Sequence, residues 1–216
     1  SGYIQIAQKL KITGGLSGNF SGNATRIEVA NVIYDCLHID VPTLSGVKDG
    51  QLVYRAQKDH TFLSEHLKIY RGSGIMSGNE STMLDSDNNL SDGQVMIDGV
   101  LYDDPKDLGE NMLGHNVTVY AYRPDGTECG EIVYIEENYD NVAVRVSDED
   151  FTSVNDFTVK YRVGDREKSL TLSTACNMIY NGRYVTYDPK YYDGFSGYVD
   201  FVDSDKDGRY DVVKIT

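Results

Sequence analysis

The feature that most constrains this chain is a turn pattern that occurs twice between residues 68 and 216. Val95-Met-Ile-Asp98-Gly99-Val100-Leu-Tyr102 and Met178-Ile-Tyr-Asn181-Gly182-Arg183-Tyr-Val185 each set Asp-Gly or Asn-Gly between short apolar arms. Such pairs tolerate positive φ at two successive positions, which a type I′ hairpin turn requires. The likeness extends past the turns. Asp104-Pro105-Lys106 follows the first hairpin as Asp188-Pro189-Lys190 follows the second, and Gly114 precedes Val117–Tyr122 as Gly197 precedes Tyr198–Val202. A further Asp-Gly turn comes next in each case, Asp125-Gly126 and Asp207-Gly208, and Ile132–Ile135 and Val212–Ile215 close the series. Matches in one conserved order indicate a duplicated β unit of hairpin, connector and hairpin, over residues 68–138 and 139–216.

Within these units the apolar pattern has period two. Val117, Val119 and Ala121 alternate with Thr118, Tyr120 and Tyr122; Val142, Val144 and Val146 alternate with Ala143 and Arg145; Phe157, Val159, Tyr161 and Val163 alternate with Thr158, Lys160 and Arg162. Each predicts an antiparallel strand with one buried and one wet face. The abundance of Tyr (17 residues, with no Trp), Val, Thr, Gly and Asp suits strands and turns.

Residues 1–44 read differently. Tyr3, Ile6, Ala7 and Leu10 share one helical face, Lys11–Asn23 is a glycine-rich loop, and Thr25-Arg26-Ile27-Glu28 opens a second helix with the spacing of a capping box. The apolar face of that helix is Val29, Ala30, Ile33, Tyr34 and Leu37, and Pro42 marks its end. Residues 45–67 show no sustained period and read as a linker, with a short helix capped near Asp59 or Thr61.

The order of helix, glycine-rich loop and capped helix resembles the S-layer homology repeat of bacterial surface proteins. Tyr3-Ile-Gln-Ile-Ala-Gln-Lys-Leu-Lys-Ile-Thr13 and Ala24-Thr-Arg-Ile-Glu-Val-Ala30 carry the resemblance, against that family's I-T-R-A-E pattern. It implies a helical segment that belongs to a three-part bundle and binds cell-wall polysaccharide, with Arg26 at the position near the glycan. Capping alone also accounts for Thr25, Arg26 and Glu28. Gly18-Asn19-Phe20-Ser21 stands where the family has D-G-T-F, and one repeat is present. The β-rich remainder is similar to segments that follow such repeats in surface proteins of Gram-positive bacteria. Its carriers are Ser64–Ile75, Ile97–Asp103 and the closing Asp207-Gly-Arg-Tyr-Asp-Val-Val213. The chain starts mid-pattern at Ser1-Gly2-Tyr3, as an excised piece of a longer protein would.

The richest candidate chemistry is Asp203-Ser-Asp205-Lys-Asp207-Gly208-Arg209-Tyr-Asp211. Asp203, Asp205, Asp207 and Asp211, with the Arg209 carbonyl, offer the oxygen ligands a hard cation such as Ca2+ takes. The pattern follows an EF-hand loop up to its ninth position, but Lys214 occupies the twelfth, where the anchoring Glu belongs, which excludes an EF-hand sensor. The same residues also suit an acidic, hydrated turn without metal. Asp85-Ser-Asp87-Asn-Asn-Leu-Ser-Asp92 and Asp148-Glu-Asp150 are weaker acidic strings that read as loop and strand-end turn.

Charge and motif content narrow the function. With 34 acidic against 20 basic residues the chain carries −14, which disfavours nucleic acid and anionic membrane surfaces. No apolar run approaches the roughly 18 residues of a membrane span, and no signal peptide is evident. Cys36, Cys129 and Cys176 form no zinc pattern with the scattered His38, His60, His66 and His115, and as an odd number they leave a thiol unpaired or paired between chains. No nucleophile elbow, Cys/His pair, H-E-x-x-H or phosphate loop occurs.

The expectation is therefore an α+β, mainly β chain: a partial S-layer-homology-like helical segment (1–44), a linker (45–67) and two similar antiparallel β units (68–138, 139–216), built as small hairpin-rich sheets or barrels. The expected role is a non-enzymatic, extracellular structural module of the cell wall or S-layer, a spacer or assembly domain with Ca2+ as a stabilising ion. Its partners would be neighbouring surface-protein domains or cell-wall polysaccharide. The alternative is a carbohydrate-binding module that holds cell-wall glycan through Arg26 or a Tyr-rich strand face.

Overall fold

The structure, a computed structural model, describes residues 2–14, 16, 22–85, 90–109, 111–124, 127 and 129–216, with the side chains of all of these except 57–59. Gly18-Asn19-Phe20-Ser21, the Asp125-Gly126 turn and Asp87 lie outside the described residues. The chain divides into two compact units, Ser1–Tyr70 and Arg71–Thr216. It is mainly β: a few short helices, a small N-terminal antiparallel sheet, a five-stranded closed barrel and a half-open barrel sheet.

The first unit contains α1 (Gly2–Lys9), α2 (Arg26–Leu37), a hairpin of β1 (Asp40–Lys48) and β2 (Gln51–Thr61), and α3 (Phe62–Leu67). Thr25 caps α2 in a reciprocal capping box: its hydroxyl accepts from Glu28 N at 3.3 Å, while Thr25 N donates to Glu28 Oε2 at 2.7 Å. A second box, Thr61 with Ser64, starts α3, and Lys68 closes it in the left-handed conformation (φ 56°). Neither α1 nor α2 has a buried residue, so the apolar faces that carry Tyr3, Ile6, Ile33 and Tyr34 are exposed.

Residues 45–67 contain the expected short helix, α3 capped at Thr61, but the stretch before it, expected to be irregular, forms most of the β1–β2 hairpin. The turn responsible is Asp49-Gly50, with φ of 52° and 76°. It is the same Asp-Gly device, set between strands that Pro42, Gly46 and register shifts make irregular.

In the second unit β3 (Ile69–Gly78), β4 (Gln94–Ile97), β5 (Val100–Asp103), β6 (Asn116–Tyr122) and β7 (Gly130–Glu137) close a barrel in the order β3-β4-β5-β7-β6. Met76, Ile97, Val117, Val119 and Ile132 fill it, each no more than 1% exposed. The wet face expected for β6 is largely covered: Thr118 and Tyr120 are buried along with Val117 and Val119, and Tyr122 at the strand end is exposed. β5 meets β7 in parallel, whereas β4–β5 and β6–β7 are antiparallel.

The remaining strands are β8 (Val142–Ser147), β9 (Phe151–Asn155), β10 (Thr158–Val163), β11 (Arg166–Tyr180), β12 (Arg183–Val185), β13 (Tyr198–Asp203) and β14 (Tyr210–Ile215). They form a seven-stranded sheet in the order β8-β13-β14-β11-β10-β9, with β12 beside β11. β11 and β14 are parallel neighbours, and the other pairs in this sheet are antiparallel. The two turns named at the outset take the same shape: φ is 49° and 74° at Asp98-Gly99, and 48° and 76° at Asn181-Gly182.

β13 and β14 are covered on both faces, which accounts for their dense apolar sequence. Val199, Phe201, Val213 and Ile215 enter the main core of the sheet with Val146, Val159, Leu172 and Met178. Val202 and Val212 point the other way, into a second cluster with Leu84, Leu113 and Ile179. Leu84 and Leu113 come from barrel loops, so this cluster joins the barrel to the sheet. Gly114 marks how closely they approach. A Cβ there would lie 2.9 Å from the Val212 side chain, and its φ is 86°.

Candidate metal centre

The acidic loop links β13 to β14, the two strands buried on both faces. Asp203 is the last residue of β13 and is 2% exposed, although it carries an acid group. Its burial is compensated by the backbone: Lys206 N donates to Oδ1 at 2.7 Å and Gly208 N to Oδ2 at 3.0 Å. Those bonds bend the chain around the carboxylate, with Lys206 (φ 61°) and Gly208 (φ 87°) taking the left-handed conformations the bend demands.

Asp205 accepts from Asp207 N at 3.1 Å, and Asp207 accepts from Arg209 N at 2.7 Å. Each is a short-range Asx turn. Asp211, one residue into β14, is reached from across the hairpin by Ser204, whose N and Oγ donate to Oδ2 at 3.2 and 3.1 Å. Ser204 is 1% exposed and forms part of this frame, a role that the ligand pattern alone does not reveal.

Carboxylate oxygens of Asp203, Asp205 and Asp211 lie within 4.8 Å of one another, with Asp203 buried, Asp211 half-buried and Asp205 exposed. This partly buried group could hold a metal ion. Its donors are hard oxygens, and carboxylates that already accept two hydrogen bonds keep lone pairs for a cation. The like charges are costly without one. Burial, and then the nearby charges of Asp205 and Asp203, push the Asp211 carboxyl above its ordinary value, against the opposing pull of the Ser204 hydrogen bonds.

Asp207 does not join the group. It is exposed and turned toward the backbone of Arg209, itself exposed. Arg26 is exposed at the first position of α2, in the first unit. Asp148-Glu149-Asp150 forms the turn between β8 and β9, where Ser147 Oγ donates to Asp150 Oδ2 at 3.0 Å. All three cysteines are free; Cys176 is buried and its thiol is pushed up to about 11, chiefly by that burial. Among the described residues no helix is long and apolar enough to cross a membrane.

Comparison of the chain with protein-family models, with curated proteins and with solved structures finds no match.

Proposed function

We propose that this chain is a non-enzymatic structural module of a bacterial cell surface, a spacer or assembly domain in which calcium pins the β13–β14 hairpin. One observation carries the calcium reading: Asp203, Asp205 and Asp211 converge at the turn between the two strands that hold the core together. A cation there neutralises charges that the fold has already brought into contact. It stabilises only the folded chain, since the unfolded loop does not present its ligands together. Asp205 is the carboxylate of choice for a test, because it is exposed and its loss opens no core cavity. The placement at a cell surface rests on the S-layer-homology-like sequence of residues 3–13 and 24–30.

Calcium at a hundredfold its Kd adds about 2.7 kcal/mol, which corresponds to a rise in Tm of roughly 5–10 °C for a unit of this size. Thermal melts with and without millimolar calcium should show that rise, and Asp205→Ala should abolish it. An identical wild-type melting curve in both buffers would sink the calcium reading. Magnesium should act weakly, because it demands a tighter octahedral shell.

A further inference from the structure

A second polar site lies on the face of the seven-stranded sheet that looks toward the barrel. Register sets it up. Arg145 on β8 pairs with Asp200 on β13, and Asp200 pairs with Lys214 on β14, so three charged side chains form one row across three strands. Two residues along, Ala143, Val202 and Val212 form the parallel row, of which Val202 and Val212 are sealed under the barrel. The barrel loops reach this charged row at Lys214, through Leu113 O, and leave its Arg145 end exposed. What remains is a cleft of about 840 Å³, walled by Asn79, Ser81, Asn111 and His115 from the barrel side and floored by Ile179 and Val202. Clefts of this size between β modules are where small ligands are held.

Its unused hydrogen-bonding capacity lies in donors. Both oxygens of Asp200 are taken by Arg145, Nε to Oδ1 at 2.6 Å and Nη2 to Oδ2 at 2.8 Å. The rest of the Arg145 guanidinium, which lies over the Tyr198 ring at 5.6 Å, faces outward. Lys214 gives one N–H to Leu113 O at 3.1 Å. An ammonium has three donors, and this one is largely buried, enough for the loss of water to pull its proton affinity down. His115, 8% exposed, lines the cleft with Nδ1 3.1 Å from Glu137 Oε1. The cleft lining thus holds two cations, Arg145 and Lys214, beside one carboxylate, Asp200, both of whose oxygens already accept from Arg145, in a chain of net charge −14. The amides of Asn79 and Asn111 add neutral donors along the wall.

We propose that this cleft binds a small hydroxy carboxylate, the class that includes sugar acids, with its carboxylate on Lys214 and Arg145 and its hydroxyls along Asn79, Ser81 and Asn111. The site is separate from the acidic loop and does not depend on calcium.

The test is calorimetric titration of the 216-residue chain in calcium-free buffer with sodium D-glucuronate, D-glucose and sodium acetate. Glucuronate should bind saturably in the millimolar range, and glucose and acetate at least tenfold more weakly. Lys214→Met, which keeps the apolar stem, and Arg145→Gln should each lower glucuronate affinity tenfold or more, while Lys160→Met, at an exposed position of β10 outside the cleft, leaves it unchanged. Melting curves accompany each variant; if Lys214→Met impairs folding, the exposed Arg145→Gln decides the matter. Absence of glucuronate binding, equal binding of glucose or acetate, or full affinity in Arg145→Gln overturns the assignment. Failure of the calcium test leaves these results untouched.

Discussion

Asp203 and Asp211 face each other across one turn and are held by different partners. Asp203 is the more deeply buried, yet two backbone N–H groups are aimed at its oxygens. Asp211 is only half-buried and has Ser204 for support, and its carboxyl is held above the usual 3.8, first by burial and then by the acids beside it. The sign of the consequence follows from proton counting. Between the ordinary value and the raised one, the folded chain keeps a proton on Asp211 that the unfolded chain has released. Stability therefore falls as pH rises through that window, and the penalty persists at neutral pH. In calcium-free buffer, urea midpoints for wild type should decline relative to Asp211→Asn as pH rises from about 4 to 7. Parallel curves for the two proteins would show that Asp211 carries no such penalty. A bound cation needs the ionised form, so calcium stabilisation should fade as pH drops through the same window.

At the scale of elements, the hairpins show what a sequence can and cannot announce. Asn181-Gly182 is open to solvent around Gly182, where an added Cβ would meet nothing within 4 Å. The φ of 76° is thus the only obstacle to a side chain, and Gly182→Ala should cost about 1–2 kcal/mol through backbone strain alone. Denaturant unfolding measures it; a neutral substitution would mean that the β11–β12 turn relaxes. This turn and Asp98-Gly99 are legible because short apolar arms flank them. Asp49-Gly50 has the same geometry but sits between exposed, bulged strands, so no burial period frames it. The helix faces of α1 and α2 are equally legible as amphipathic, yet exposed here, because periodicity reports which side would be buried and not whether anything covers it. The acidic loop is visible as a ligand string, but spacing alone does not separate Asp207, spent on a local turn, from Asp211, reached across the hairpin. The cleft was not legible at all. Arg145, Asp200 and Lys214 are neighbours only through strand register, which no local pattern encodes.

For the second unit as a whole, the shared cluster of Leu84, Leu113, Ile179, Val202 and Val212 ties the barrel to the open sheet. Tyr184 N adds a hydrogen bond to Thr82 Oγ1 at 3.0 Å across the same seam. Barrel and sheet should therefore unfold together, with far- and near-ultraviolet circular dichroism tracing one urea transition. Gly114→Ala tests the seam directly. Its Cβ would meet the Val212 side chain at 2.9–3.0 Å with φ at 86°, and a loss of about 2 kcal/mol or more is expected. An unchanged midpoint would mean that the two layers are free to move apart.

The strand order also sets a timetable. β14 follows every other strand in the chain but lies in the middle of its sheet, between β13 and β11. During synthesis β8 through β13 must wait with their centre unfilled, exposing the bare edges of β11 and β13 until β14 slots between them. That interval is when a neighbouring chain could pair with either edge. The acidic turn immediately ahead of β14 adds like charges beside that gap, and charge at an open edge opposes pairing with a second chain.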